Sequence, residues 1–234
     1  MRTLAIGDIH GCSTALDTLL ALVRPTPQDR LIFLGDVVDR GPNSRGVLEM
    51  ILALHGQTRL ITVRGNHEEM MQRARRGPIE FAMWFAVGGK ETLDSYHWDG
   101  AAEWSQIIPA RHWDFLDHGL CDWYEEEQDF FVHANVHPDL ALAEQPGEIL
   151  RWEMFQDVQP AHGSGKRMIC GHTAQRSGIP ARRPHGICID TWVYGRGWLT
   201  ALEVGSGQFW QANQQGQTRT FMLEECEQDT VEFG

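Results

Sequence analysis

The stretch LIFLGDVVDRG, residues 31–41, joins a short apolar run directly to a loop that opens on glycine and carries two aspartates and an arginine. TLAIGDIHG at 3–11 and LITVRGNHEE at 60–69 are built the same way. The construction returns in shortened form where FFV leads into His133, MIC into Gly171-His172 and GICI into Asp190. Continuous apolar runs of this length are typical of strands buried on both faces. Between the first two lies Ser13–Val23, with apolar residues at helical spacing and Ser13 placed to act as N-cap; Ser44–Leu54 has the same periodicity. The first third therefore predicts β-α-β-α-β, parallel strands joined by helical crossovers.

From Glu68 to about Trp123 the character changes: Met70, Phe81, Trp84, Trp98, Trp104, Trp113 and Phe115 stand among charges with few strand-like runs. This region reads as a mostly helical insertion over one end of the sheet. Its tryptophans could line a substrate groove or fill the core. Strand-like runs resume at Phe130, and WLTALEV, GSG and QFWQA predict a hairpin over Trp198–Ala212. The acidic run Glu125–Glu127 reads as a solvated turn, and the tail after Thr220 as acidic and peripheral.

The 234 residues are 42% hydrophobic and 22% charged, ordinary for a globular chain, with a net charge of −12. That balance argues against broad binding to nucleic acid or an anionic membrane. The five cysteines are scattered and form no C-x-x-C pair, so free thiols in a reducing cytoplasm fit best. Neither a signal peptide nor a transmembrane helix is expected.

In open α/β sheets, ligands bind at the carboxyl ends of the strands. The runs end in Asp8 and His10, Asp36, Asn66, His133 and His172, so parallel strands would bring these side chains to one edge. Gly7, Gly35, Gly65 and Gly171 would give the loops backbone freedom and close approach. Imidazoles mixed with carboxylate and amide oxygens suit manganese, zinc or iron. Six ligands are too many for one catalytic ion but suit two, with Asp36 as the bridge. Such a pair activates water and clamps the oxygens of an in-line displacement, the chemistry of phosphate ester hydrolysis. His67 is available as general acid with Asp39 orienting it, and Arg40 and Arg64 can bind phosphate oxygens.

GDIHG, GDVVDRG and RGNHEE, followed by VHAN (132–135) and CGHT (170–173), resemble the signature of the metal-dependent phosphoprotein phosphatases, within the calcineurin-like metallophosphoesterases. The chain looks most like their bacterial and phage members. The resemblance implies an α/β fold, a four-layer αββα sandwich of two mixed sheets flanked by helices, in a single domain over 1–234. It implies Asp8, His10 and Asp36 around a first metal, and Asp36, Asn66, His133 and His172 around a second. His67 with Asp39 would be the general-acid pair, and Arg40 and Arg64 would bind phosphate. A further phosphate-binding arginine is expected between the last two motifs, with Arg151 the best match and Arg167 the alternative. Two manganese ions are the implied cofactor, with iron or zinc as alternatives. After His133 the family has small residues, so Asn135 is expected to adopt a left-handed backbone or to turn its amide into the site. Of the remaining histidines, His137 is the candidate to approach the cleft.

These features predict a cytoplasmic, monomeric phosphomonoesterase acting on phosphoserine and phosphothreonine in proteins, with phosphotyrosine a further substrate. A symmetrical dinucleoside-tetraphosphate hydrolase using the same site is the alternative. A catalytically silent metal-binding module would need a lost ligand, and none is missing.

Overall fold

The computed structural model describes residues 1–225; Cys226 and the rest of the acidic tail lie outside the described residues. In β1 (Thr3–Ile6), Leu4 and Ile6 face one apolar cluster and Ala5 the other. In β2 (Arg30–Phe33), Leu31 and Phe33 alternate in the same way with Ile32. Both strands are thus covered on two faces, which is why their sequence is unbrokenly apolar. β1 pairs in parallel with β2, and β2 with β3 (Arg59–Thr62). The crossovers are α1 (Ser13–Val23) and α2 (Ser44–Leu54). Ser13 does not cap α1. It is the first residue of the helix, Cys12 occupies the cap position, and the Ser13 hydroxyl accepts from Asn43 Nδ2 at 3.0 Å. Asn43 in turn caps α2 by accepting from Gly46 N–H.

The insertion is helical, as expected: α3 (Asn66–Ala74), α4 (Pro78–Trp84), a turn over Phe85–Gly89 kinked at Gly88, α5 (Lys90–Ser95) and α6 (Ala110–His118). Trp84, Leu93, Trp104 and Phe115 join the cluster that also buries Leu16, Leu19, Val47 and Ile51 of α1 and α2.

A second sheet follows. β4 (Trp123–Glu125) is antiparallel to β5 (Asp129–Val132), which runs parallel to β6 (Arg167–Cys170). Between β5 and β6 stands α7 (Gly147–Trp152). β7 (Ala181–Arg183) lies at the edge beside β8 (Gly186–Cys188), which is parallel to β6. The chain then returns to the first sheet with the predicted hairpin, β9 (Leu199–Glu203) and β10 (Gln208–Ala212), and the edge strand β11 (Thr218–Met222). The sheet orders are β11-β10-β9-β1-β2-β3 and β4-β5-β6-β8-β7.

Ala5, Ile32, Phe131, Ile169, Ile187, Leu202 and Phe209 meet between the sheets. Phe130, Val132, Leu150 and Met168 fill the outer face of the second sheet. The result is two mixed sheets flanked by helices. Two smaller expectations are refined. The stretch at 125–127 leads into an exposed turn between β4 and β5, as expected, but Glu125 still ends β4 and Glu126 is held, accepting from Thr3 Oγ1 and pairing with Arg30. The chain after Thr220 first completes β11, because Phe221 stacks on Phe209 before the acidic tail begins.

Candidate metal and catalytic centre

The loops after β1, β2, β3, β5 and β6 meet at one edge, because those strands run parallel within their sheets. Asp36 stands at the centre. Its Oδ2 lies 3.4 Å from His10 Nε2 and 4.0 Å from His67 Nε2, and its Oδ1 lies 3.4 Å from His133 Nε2. Two ligand groups result: His10, Asp36 and His67, and Asp36, His133 and His172, each with its donor atoms within 4.8 Å of one another. Asp36 belongs to both, one carboxylate oxygen turned toward each. Asp8 stands outside these two tight groups; both of its oxygens lie 3.1 Å from the His172 amide. His67, read from the sequence only as an acid, takes the place beside His10.

Backbone carbonyls fix the imidazoles. His10 Nδ1–H donates to Val38 O at 3.0 Å and His133 Nδ1–H to Leu34 O at 2.7 Å, so both leave an Nε2 lone pair for the site. His172 uses Nε2–H on Trp152 O at 3.2 Å and leaves Nδ1. Burial holds His10 and His133 below the ordinary imidazole pKa and takes His172 down to about 4, so these rings are neutral, as ligands must be. Burial alone would raise the Asp36 carboxyl, but the surrounding imidazoles, His133 foremost, are charged in acid where it titrates and hold it below its usual range. Asp8 is pushed well up by burial with Asp190 and Asp36 nearby.

The donor set fits a cation. Asn66 Oδ1 sits 3.1 Å from the acceptor Nε2 of His133. With the amide turned the other way, its NH2 would face that nitrogen and both Asp36 oxygens at 3.1–3.2 Å. The first arrangement faces lone pairs toward one another, which suits a bound cation; the second satisfies them without one. Asp8, Asp36 and Asp190 are buried together, a concentration of negative charge that a divalent ion offsets.

The backbone corrects the expectation for the glycines. Among the four, only Gly35 has positive φ, at 95°. The others provide space: a Cβ on Gly65 would stand 2.1 Å from Asp36 Oδ1, and one on Gly171 2.0 Å from Asp8 Oδ1. The left-handed conformations fall on the functional residues themselves, His10, Asp36, Asp39, Arg40 and His172, with φ of 46–70°.

His67 Nδ1–H donates to Asp39 Oδ2 at 2.7 Å, and its Nε2 is buried without a partner. Burial opposes the charged ring, but Asp36 and Asp39 outweigh it and raise its pKa above the ordinary value. Arg40 is exposed, with Nη1 2.9 Å from His10 Nε2 and its guanidinium over the Tyr194 ring. Arg64 and Arg151 each keep a buried Nε without a partner. Arg151 Nη2 donates to Glu69 at 2.9 Å and Nη1 to Asp122 at 3.0 Å. The alternative, Arg167, is excluded from the site: it begins β6, whereas His172 follows that strand's other end, and its Nε is bound to Asp129 at 2.7 Å.

Asn135 does neither thing expected of it. Its φ is not left-handed, and its amide ties the loop to Met154 O at 2.8 Å and to Gln159 at 2.9 Å. His137 is exposed and accepts from Asp139 N–H rather than entering the cleft. Trp84 is wholly buried and Trp104 nearly so, while Trp98 and Trp113 pack against the same cluster; this is core.

Sequence reading passed over several functional neighbours. Glu68 accepts N–H bonds from Asp36, Val37, Val38 and Gly65, fastening the loop after β2 to the start of α3. Burial, with Asp36 nearby, raises its pKa to about 7. Its signal was available, since glutamate three residues past the helix cap is a capping-box position. Asp190 is buried, accepts from Trp192 N–H, and is raised by burial to about 7. Tyr194 packs edge-on against His10, with ring centroids 4.8 Å apart.

The sequence model of the calcineurin-like phosphoesterases matches residues 1–176. The chain is 42% identical over 215 residues to "Serine/threonine-protein phosphatase 1" of Salmonella typhimurium, covering 85% of this chain and 90% of that protein. It is 46% identical over 163 residues to the symmetrical bis(5'-nucleosyl)-tetraphosphatase of Erwinia tasmaniensis, covering 68% of this chain and 54% of that protein. Among solved structures, a cold-active protein tyrosine phosphatase superposes with a TM-score of 0.66 at 16% identity, covering 97% of this chain and 80% of that one. At that identity the likeness is one of fold.

Proposed function

The chain belongs to the calcineurin-like phosphoesterase family, and from that premise we propose that it is a metal-dependent phosphomonoesterase for phosphoserine and phosphothreonine in proteins. The observation that carries the reading is Asp36, set between neutral His10 on one side and neutral His133 and His172 on the other, beside a buried His67–Asp39 pair in which His67 Nε2 is free.

Asp36 would bridge two divalent ions, with His10 and Asp8 on one side and Asn66, His133 and His172 on the other. Manganese suits this mixture of nitrogen and oxygen donors, as would iron or zinc. The chemistry such ions supply when bound is polarisation of the phosphoryl oxygens and activation of water. The chain's own residues do the rest. Arg40, Arg64 and Arg151 bind the nonbridging oxygens; the unpaired Nε atoms of the last two are buried donors that a phosphate would satisfy. His67, protonated on both nitrogens, donates from Nε2 to the departing seryl or threonyl oxygen, while Asp39 holds Nδ1–H and stabilises the ring charge.

Near full-length similarity to the Salmonella phosphatase supports a protein substrate. The comparable identity to the Erwinia tetraphosphatase supports a second reading, cleavage of a dinucleoside tetraphosphate at the same site. Turnover of a phosphoserine peptide and of diadenosine tetraphosphate, measured side by side with manganese, separates them. The first reading expects faster turnover of the peptide and its collapse in Asp36→Asn and His67→Ala; unchanged peptide turnover in both variants would sink the mechanism.

A further inference from the structure

Asp39 orients His67, and Asp39 is itself held from the helical insertion. Trp84 Nε1–H lies 3.0 and 2.9 Å from its two oxygens. Thr92 Oγ1–H donates to Oδ1 at 2.7 Å, and the same hydroxyl oxygen accepts Asp39 N–H at 2.9 Å. Ser44 Oγ, 2.9 Å from Thr92 Oγ1, shares that amide at 3.0 Å. Every one of these groups is buried, and Asp39 has a left-handed φ of 70°. An ionised carboxylate offers about four acceptor positions. Here His67, Trp84 and Thr92 supply the donors, which fixes both the plane of the group and the oxygen that faces His67.

The chain path serves this convergence. In an uninterrupted α-helix, residues eight apart point about 80° away from each other. Between Trp84 and Thr92 the helical path breaks in a kinked turn at Gly88, φ 132°, which redirects α5 so that both side chains reach one carboxylate. The same turn offers Gly88 O to Arg40 N–H at 3.1 Å, and a Cβ on Gly88 would come within 2.7 Å of that nitrogen.

We propose that Trp84 and Thr92 are positioning residues for proton donation: they lock Asp39 so that His67 keeps its proton on Nδ1 and presents Nε2 to the leaving oxygen. This rests on the proposed function only through the general-acid role of His67. A loosened Asp39 should harm substrates in proportion to their need for a proton. An alkoxide leaving group needs one, whereas 4-nitrophenolate departs without it.

The test compares Thr92→Val, Thr92→Ser, Trp84→Phe and Asp39→Asn with the parent on a phosphoserine peptide and on 4-nitrophenyl phosphate, with manganese. Thr92→Val and Trp84→Phe should lower kcat about tenfold on the peptide and no more than about twofold on the aryl ester, with KM unchanged. Thr92→Ser, which keeps the hydroxyl, should restore the parent values. Asp39→Asn should show the same selectivity with a larger loss. Equal losses on both substrates, or parent-like turnover by Thr92→Val, would overturn the proposal; should Trp84→Phe fail to fold, the two Thr92 variants decide. If Asp39→Asn leaves peptide turnover intact, the general-acid reading itself fails. Selective loss in Asp39→Asn beside a parent-like Thr92→Val sinks the positioning role alone. A readout without turnover is the downfield proton signal of His67 Nδ1–H in metal-free protein. It should broaden or exchange faster in Thr92→Val and persist in Thr92→Ser; an identical signal in Thr92→Val counts against the proposal even if the peptide proves no substrate.

Discussion

The two sheets serve the same edge in different ways. The first delivers Asp8, His10, Asp36, Asp39, Arg40, Arg64, Asn66 and His67 from three loops, several charges to a loop. The second delivers His133 and His172, one imidazole after each of two strands. The crowded loops run through left-handed backbone at His10, Asp36, Asp39 and Arg40 and lean on outside support: Glu68 beneath the loop after β2, Trp84 and Thr92 behind Asp39. The sparse loops carry one left-handed ligand residue, His172, and are tied by Asn135 to a neighbouring segment. One carbonyl orients each ring, Leu34 O for His133 and Trp152 O for His172. Charge density near a ligand thus sets how much scaffold the ligand requires, since like charges and strained turns hold together only where the surroundings over-determine them.

That contrast can be broken from its centre outward. Asp36→Asn removes the charge both groups share, so peptide turnover should fall by about three orders of magnitude or more. Calorimetric titration with manganese should show both binding events weakened; loss of only one would make Asp36 a ligand to a single ion. Glu68→Ala strands four buried amides in the crowded loops, and denaturant unfolding should register a loss of about 3 kcal/mol. The matching cut on the sparse side, Asn135→Ala, removes bonds to one neighbouring segment and should cost about 1–2 kcal/mol. Equal costs would erase the difference between the sheets.

His10→Ala and His172→Ala should each weaken one manganese equivalent, about 10- to 100-fold, and leave the other near its parent affinity. Unchanged binding of both ions by His10→Ala would remove that loop from the metal centre. The smallest effect lies outside the edge altogether. Asp29 accepts from Arg2, and that pairing holds its carboxyl below the ordinary range. A depressed carboxyl stabilises the fold above its unfolded pKa, near 4, and the contribution fades as pH falls through the depressed folded value. Arg2→Ala should therefore cost about 1 kcal/mol at neutral pH, with the gap to the parent closing in acid; a gap that widened in acid would reverse the sign.

Much of this molecule was legible before any fold was seen. The crossover motif of the first three strands follows from apolar runs and helical spacing, which are local properties of the backbone. Convergence of Asp36, His10, His133 and His172 follows from strand direction, and the resemblance supplied their pairing around two ions. Where the reading failed, the deciding partner lay far along the chain. Ser13 yields the cap position to Cys12 while its hydroxyl accepts from Asn43, and Asn135 was claimed by Met154 and Gln159.

Which residue types sit at the ends of which strands is local information, because strand periodicity and side-chain chemistry are written within a few positions. What holds those residues depends on long-range packing. It placed Trp84 and Thr92, 45 and 53 residues away, on Asp39, seated Tyr194 against His10, and set Arg167 at the end of β6 away from His172. A hydrogen bond between distant segments leaves no periodic trace in either of them; it exists only once the core has closed and brought both to the same edge.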